Sequence, residues 1–431
     1  MRLINFRQQQ ITNNVKWLAD VVWEDNDRPL QTIYVTIPNQ FNCTLFAASN
    51  GFLLAVMVFA MKHREQRIYV EGYIDDWLKY RVEKSLKYLA MWFAHKHLPV
   101  IESSEVGSDV NREISDIKSP IRSTALFLSG GVDSYSTLMR NITLVGEEHP
   151  KRARYGLLVN GLDIGFLEEQ NEKQQELSEL SYEAIKQVCK SANIQPVLID
   201  TNVRSLDLDS NLYAKQAHGA ILAGMAHFLT SHISDILISS TNDMWHATAW
   251  GSSPLIDVNY SSEILAVHHD SEDLSRLNKV ALIIGRPEVL KNLRVCPKVY
   301  TIPSGYLNCG NCAKCTRTRL ELLVLGYKNE YDIFPSASIS TWFTDKNLLI
   351  QSEYHASQFK ELVEPLQKLG LKEEASRVII SLENWRKYQA WINRENIAGL
   401  TKRLANETMR TLKSAFKVRF NSRNYSRETI I

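Results

Sequence analysis

Long apolar runs are scarce: the most apolar stretch, Gly51 to Met61, falls far short of the ~20 residues a membrane helix needs and predicts a buried helix. Charge of one sign is missing too. The 50 Lys and Arg face 48 Asp and Glu, a net charge of +2, so no bulk field marks a nucleic-acid or membrane partner. Cysteine is scarce, at 6 of 431 residues, and no targeting segment is recognised at the N-terminus, which argues against a disulfide-stapled secreted scaffold. No Gly-x-x-x-x-Gly-Lys-[Ser/Thr] is present, so the commonest nucleotide loop is excluded. There is no internal repeat and no low-complexity tract. What is there is a chain with 44% hydrophobic residues, long enough for two or three proper cores.

Residue periodicity divides that length. Residues 1–101 alternate strand and helix patterns. Thr32 to Ile37 is β-rich and ends at Pro38, Phe52 to Lys62 predicts a helix, and Arg67 to Gly72 a strand closed by glycine. Asp75 to His97 places Trp77, Leu78, Val82, Leu86, Leu89, Trp92 and Phe93 at helical spacing. No catalytic cluster falls here, and an N-terminal α/β accessory domain with a packing or assembly role is the expectation. Residues 102–123 are polar and aperiodic, as in a linker. Across residues 124–334 strands at 124–128, 155–159, 196–200 and 235–239 alternate with helices, including 168–192 and 212–231. That alternation predicts a doubly wound parallel sheet with ligands at the carboxyl ends of its strands. Residues 335–431 read as a helical extension, amphipathic over Glu353 to Leu371 and Glu373 to Arg394, with Trp385, Tyr388 and Trp391 as aromatic surface. From Thr401 the extension turns basic, with Phe416 and Phe420 interleaved, which fits a solvated helix, a nucleic-acid backbone or an acidic partner.

The most informative segment is Ser129-Gly130-Gly131-Val132-Asp133-Ser134, between the apolar strand Thr124 to Leu128 and a helix that begins around Tyr135. Two glycines at a strand-to-helix turn let the backbone approach an anion, and the first amides of the helix point at it. Ser129 and Ser134 add hydroxyl donors. Asp133 is a carboxylate in an anion site, which makes sense as a metal ligand or as an orienter of the loop. The segment resembles the pyrophosphate loop of the N-type ATP pyrophosphatases, which cleave ATP between its α- and β-phosphates and adenylate a substrate.

A second signal lies downstream. Cys296, Cys309, Cys312 and Cys315 follow Cys-x12-Cys-x2-Cys-x2-Cys. Thiolates two residues apart converge on one tetrahedral ion, and the fourth can come from a distant loop. Structural zinc is the reading this spacing favours, with disulfides or an iron–sulfur cluster as the alternatives. Cys43 and Cys189 lie in apolar surroundings and read as core.

The loop, Lys279 on a helix ahead of the first clustered cysteine, the cysteines themselves and Arg317 just after Cys315 stand in the order found in the QueC-like (7-cyano-7-deazaguanine synthase-like) ATP pyrophosphatases. The likeness spans residues 120–325, about half the chain. The N-terminal region and the helical extension resemble additions in the QueC-like proteins of bacterial antiphage systems, those of the QatC kind and those of CBASS operons. The resemblance implies an adenine-nucleotide α-hydrolase-like domain that uses ATP, Mg2+ and Zn2+. It implies an AMP-forming carbon–nitrogen ligase that activates 7-carboxy-7-deazaguanine and passes it to an amine. Ammonia as the amine gives an amide and then the nitrile preQ0; the amino terminus of a protein encoded in the same operon gives a deazaguanine-tagged partner. Ser129, Gly130, Gly131, Val132, Asp133 and Ser134 would hold the leaving pyrophosphate, Asp133 would contact magnesium, and Lys279 would neutralise phosphate from the other side. A cytoplasmic location is the expectation from the absence of a recognised targeting segment and the need for ATP, and the oligomeric state stays open, with dimers common among QueC relatives.

Between strand signals, Asn242 to Asp257 is rich in aromatic and turn residues, and Trp245, His246 and Trp250 suit a planar heterocycle. An ordinary structural loop is the alternative. His218 sits on a helix expected to face the nucleotide. His268 and His269 precede the acids Asp270, Glu272 and Asp273 and fit a surface loop, a metal site or an acid–base pair. Two other functions remain open at this point: a tRNA-modifying pyrophosphatase with the basic tail on the tRNA, and an ATP-sensing interaction module.

Overall fold

A computed structural model describes residues 1–104, 122–164, 172–327, 333–335 and 339–394. The basic tail and most of the 102–123 segment lie outside the described residues. The chain forms two compact units, Met1–Asn347 and Leu348–Ile431.

The first unit is an α/β fold on one ten-stranded, mostly parallel sheet. Its strands are β1 (Arg2–Ile11), β2 (Asn14–Val22), β3 (Gln31–Pro38), β4 (Arg67–Val70), β5 (Val100–Ser103), β6 (Ser123–Phe127), β7 (Ala153–Asn160), β8 (Gln195–Thr201), β9 (Ile233–Ser239) and β10 (Ala266–Asp270). They lie in the order β10-β9-β6-β7-β8-β3-β2-β1-β4-β5. Pairing is parallel from β10 through β8, antiparallel along β8-β3-β2-β1, and parallel again to β5. Strands from residues 1–103 therefore continue the same sheet that carries the glycine loop. The join at β3 and β8 is short, with backbone pairs only at Val35–Thr201 and Thr36–Asp200. Asn202 extends it with its side chain, accepting from the Tyr34 amide at 2.7 Å and donating to the Thr32 carbonyl at 3.0 Å.

Side chains that alternate along β6 serve two cores. Ala125 and Phe127 pack on one face with α1 (Leu45–Lys62) and α5 (His218–His227), whereas Leu126 and Leu128 pack on the other with α3 (Val132–Leu144) and α4 (Glu172–Ser191). A sheet covered on both faces needs such apolar strands. α1 is the apolar Gly51–Met61 stretch extended in both directions; among the described residues it is the one helix long and apolar enough to cross a membrane, and 89% of it is buried in this core. It crosses α5 at a glycine pair: a Cβ on Gly224 would lie 2.6 Å from the Gly51 carbonyl oxygen. α2 (Asp76–Phe93) follows, started by Asp75, whose carboxylate accepts from the Leu78 amide. α6 (Arg276–Ile284) and α7 (Ala313–Val324) complete the layer over the glycine loop.

The second unit holds α8 (Glu353–Lys368), capped by Ser352, and a further helix over 372–394. Tyr354, Phe359, Leu362 and Leu366 are buried, while Tyr388 and Trp391 stack on each other and stay exposed.

Candidate functional site

β6 ends at Phe127, and α3 begins at Val132, so Leu128–Gly131 forms the whole turn at the carboxyl edge of the sheet. Gly130 has φ +81°, a left-handed conformation that disfavours any Cβ, and a Cβ there would sit 3.3 Å from that of Arg294. Gly131 caps α3 without a side-chain hydrogen bond, leaving the first helical amides to an external acceptor. Ser134 Oγ donates to the Gly131 carbonyl at 3.0 Å and lies 3.4 Å from Ser129 Oγ. Tyr135, fully buried, donates to the Asn292 carbonyl at 3.1 Å.

Asp133 and Lys279 come together. Lys279 Nζ lies 3.7 Å from Asp133 Oδ1, and Arg276 reaches the same oxygen at 3.3 Å. Asp133 Oδ2 has no protein partner among the described residues. Lys279 is fully buried and also donates to the Ser240 carbonyl at 2.6 Å. Burial pulls its pKa below the ordinary lysine value, with Asp133 opposing that shift. Its ammonium thus faces Asp133 and Ser240 and does not line the cavity described next. Arg276 continues to Glu321 at 3.3 Å, and Glu321 meets Arg317 at the same distance, so α7 is linked back to Asp133 through ions alone.

Beside the loop opens a cavity of about 350 Å³, within the usual range for small-molecule sites. Its floor is the carboxyl ends of β6, β7 and β9; Ser129, Asp133 and Ser134 form one rim. Across from them stand Tyr213, His218 and Trp250, with His218 edge-on to both other rings at centroid distances of 6.2 and 6.0 Å. Tyr213 lies on a π-helical turn, Tyr213–Ala217, that runs into α5. Such turns insert an extra residue and re-aim side chains, frequently at functional sites. Burial holds His218 below the usual imidazole pKa, and its Nδ1 is buried without a partner.

Trp250 is fixed from below. The Gly251 carbonyl accepts from the Gly219 amide, and the buried Asp257 takes hydrogen bonds from Ser252 Oγ (2.5 Å), the Ser253 amide (3.3 Å) and His269 Nδ1 (2.8 Å). Trp245 and His246 lie elsewhere. Trp245 is 92% exposed, His246 pairs with Asp243 at 2.7 Å, and neither lines the cavity. His268 and His269 belong to the edge strand β10, not to a loop; His268 pairs with Asp235.

The cysteines do converge. The Sγ atoms of Cys296, Cys309, Cys312 and Cys315 all lie within 4.8 Å of one another, and all four residues are buried. Sγ separations of 3.8 Å (Cys296–Cys312), 3.9 Å (Cys309–Cys315) and 3.4 Å (Cys312–Cys315) are close to the ~3.8 Å edge of a tetrahedron built on Zn–S bonds of ~2.3 Å. A single ion fits this set. In a multi-iron cluster the thiolates sit on different irons and stand further apart. The free thiols form no disulfide. These residues can therefore bind a metal such as zinc. Burial instead pushes the Cys189 thiol up to about 12, as suits a core cysteine.

Asn308 holds the two arms of the knuckle together. It is wholly buried; its Oδ1 accepts from the Val295 and Cys296 amides, and its Nδ2 donates to the Leu293 and Ile333 carbonyls. The first arm then touches the glycine loop, where the Arg294 amide donates to the Gly130 carbonyl at 2.8 Å. The second arm begins α7, with Cys312 as its N-cap, and brings Lys314 to the cavity. Asn308, Arg276, Arg294, Lys314, Asp257 and the π-helical turn are the site features that sequence reading missed. The one available hint was the closeness of Arg294 and Lys314 to the clustered cysteines. No family model, no curated protein and no solved structure matches this chain.

Proposed function

We propose that the chain is a QueC-like N-type ATP pyrophosphatase that adenylates the carboxylate of 7-carboxy-7-deazaguanine and transfers the acyl group to an amine. The observation that carries this reading is the uncapped amino end of α3 with its two serines, at the rim of a cavity walled by aromatic rings. Free amides and hydroxyls at a helix start suit the leaving pyrophosphate. The wall of Tyr213, His218 and Trp250 suits a planar purine-like ring. In the reaction a carboxylate oxygen bonds to the α-phosphorus as the bridging oxygen leaves with pyrophosphate. The amine then bonds to the acyl carbon, AMP departs with the carboxylate oxygen, and the amine proton passes to solvent. With ammonia, a second ATP activates the amide oxygen, and loss of AMP and protons leaves the nitrile.

Positioning and charge neutralisation dominate such a reaction. The loop amides, Ser129 and Ser134 bind the leaving group, and the unpartnered Asp133 Oδ2 is the oxygen that would hold magnesium. Lys279 and Arg276 fix the Asp133 carboxylate, a positioning role for Lys279 that differs from direct phosphate contact. The four cysteines would hold zinc, whose contribution is structural. A protein encoded in the same antiphage operon is the proposed acceptor alongside ammonia, with the enzyme cytoplasmic and homodimeric.

The test is incubation of the full chain with ATP, magnesium and 7-carboxy-7-deazaguanine, with and without ammonia and the operon partner. Carboxylate-dependent release of AMP and pyrophosphate, lost in Asp133→Ala, is expected, and a mass gain on the partner identifies it as acceptor. ATP turnover that ignores the deazapurine but responds to tRNA would replace this substrate.

A further inference from the structure

The cavity holds two cations for which neither the proposed chemistry nor the sequence motifs account. Arg294 and Lys314 both line it, and neither forms an ion pair among the described residues. Arg294 Nε is buried without any hydrogen-bond partner, and among the described residues the guanidinium's hydrogen bonding is a long 3.4 Å bond to the Ser129 carbonyl. Lys314 is the second residue of α7, where a positive side chain opposes the helix dipole. A guanidinium nitrogen shielded from water and left without an acceptor is costly, and proteins normally pair it; Lys314 is exposed and carries no such cost. Asp133 is already engaged by Arg276 and Lys279, and Glu321 by Arg276 and Arg317. Asp163 is the remaining carboxylate on the cavity wall.

The two cations come from the two arms of the cysteine knuckle. Arg294 precedes Cys296 by two residues, and Lys314 lies between Cys312 and Cys315. Both arms are tied to the anion loop: the first through the Arg294 amide on the Gly130 carbonyl, the second through the Glu321–Arg276–Asp133 chain of ion pairs. Asp163 acts on both cations through space, yet one carboxylate does not balance two cations, and an anion between the loop amides and the knuckle would.

We propose that Arg294 and Lys314 form the second half of an anion receptor, and that the knuckle serves to place them over the diphosphate held by the Ser129–Ser134 loop. The ligand class is a magnesium-bound diphosphate, either the β,γ end of ATP or the pyrophosphate released from it. This deepens the ATP pyrophosphatase reading and rests on it. The planar, forked guanidinium matches two phosphate oxygens, and the ammonium acts as a mobile point charge.

Calorimetric titration of the metal-loaded full chain with magnesium pyrophosphate, and separately with AMP, tests the assignment. Arg294→Met should weaken pyrophosphate binding roughly 10- to 100-fold, the equivalent of losing one or two charge-assisted hydrogen bonds. Lys314→Met should weaken it by less, AMP binding should change under threefold in both, and Arg294→Lys should recover part of the loss. Lys314 reaches solvent at the start of its helix, so that variant keeps the test open if Arg294→Met loses metal or melts early. Wild-type binding of pyrophosphate with both Met variants within threefold of it overturns the receptor and leaves the ATP reading standing. A wild type that binds neither ATP nor pyrophosphate overturns both.

Discussion

Replacing Asn308 by alanine should loosen the metal site without touching a cysteine. The side chain is fully buried and makes four hydrogen bonds at 2.7–3.1 Å, two accepted from amides and two donated to carbonyls. Alanine leaves all four backbone groups without that partner. At about 1 kcal/mol for each neutral hydrogen bond, the knuckle loses ~4 kcal/mol, less whatever water recovers on entering the space. Two compact units do not guarantee a single unfolding transition, so metal retention is the better readout. If half of that loss falls on the metal-bound form, the affinity for zinc drops ~30-fold, inside the 10- to 100-fold range typical of residues that orient metal ligands. Competition with a chromophoric chelator measures it directly. Asn308→Asp keeps the two acceptor bonds and loses the two donors, and should also bind zinc more weakly than wild type. An Asn308→Ala protein that holds zinc as tightly as wild type would refute the claim that this side chain ties the two arms together.

His227 is fully buried, donates from Nε2 to the Tyr260 carbonyl at 3.0 Å, and is pushed down to about 4 by desolvation. The unfolded chain takes up its proton near pH 6.5 while the folded one does not, so stability falls as pH drops from 6.5 towards 4, by roughly 3 kcal/mol from this residue. Urea midpoints across that window should flatten in His227→Gln; an unchanged slope would show that another group titrates. Gly224→Ala puts a methyl 2.6 Å from the Gly51 carbonyl oxygen and should cost about 1–3 kcal/mol by separating α1 and α5, whereas Gly146→Ala, with open space around it, should be near neutral in the same melts. Chelation of the knuckle metal should raise hydrogen exchange at Gly130–Ser134 and abolish pyrophosphate binding while β6 and β7 stay protected; simultaneous exposure of those strands would contradict a local role.

What could be read in advance was chemistry at fixed spacing. Gly130 and Gly131 before a helix, and cysteines two residues apart, are constrained by backbone geometry alone, and both lie where that geometry puts them. The apolar cores of β6 to β9 were legible for the same reason, since strands buried on both faces are continuous apolar runs. The edges were not. β1, which pairs with β4 only at Arg2 and Leu3, carries Arg7, Gln8, Gln9 and Gln10 in the half left open on that side, and the edge strand β10 reads Ala-Val-His-His-Asp, because half-solvated backbone needs few apolar residues. Orientation was also hidden: Trp245 and Trp250 are equivalent as letters, yet Asp257 and Gly219 draw one to the cavity and leave the other in solvent. Arg294 and Lys314 gave no signal beyond their closeness to the clustered cysteines, because cations are common on surfaces. Only the absence of a partner in three dimensions sets them apart.

The same long-range tethers explain why a metal is worth having so far from the loop in sequence. Tyr135 reaches Asn292 across 157 residues, Arg294 reaches Ser129 across 165, and Arg276 reaches Asp133 across 143. Closing a flexible loop of that length costs on the order of 4–5 kcal/mol, and the cost rises only slowly with length. It is met once, however, because all three tethers join the loop to one compact stretch, residues 276–321. After the first contact forms, the others add energy with little further loss of chain freedom. What then limits the assembly is the order within that stretch, where residues 294–312 contain one short helical turn, Val299–Thr301, and no strand. Structural zinc contributes apparent free energies of roughly 10–16 kcal/mol in small zinc domains. That is enough to order some ten residues at about 1–2 kcal/mol each for the backbone. Metal bound at the four cysteines would thus stabilise a stretch with little regular structure of its own, and would hold Arg294 and Lys314 beside the glycine loop.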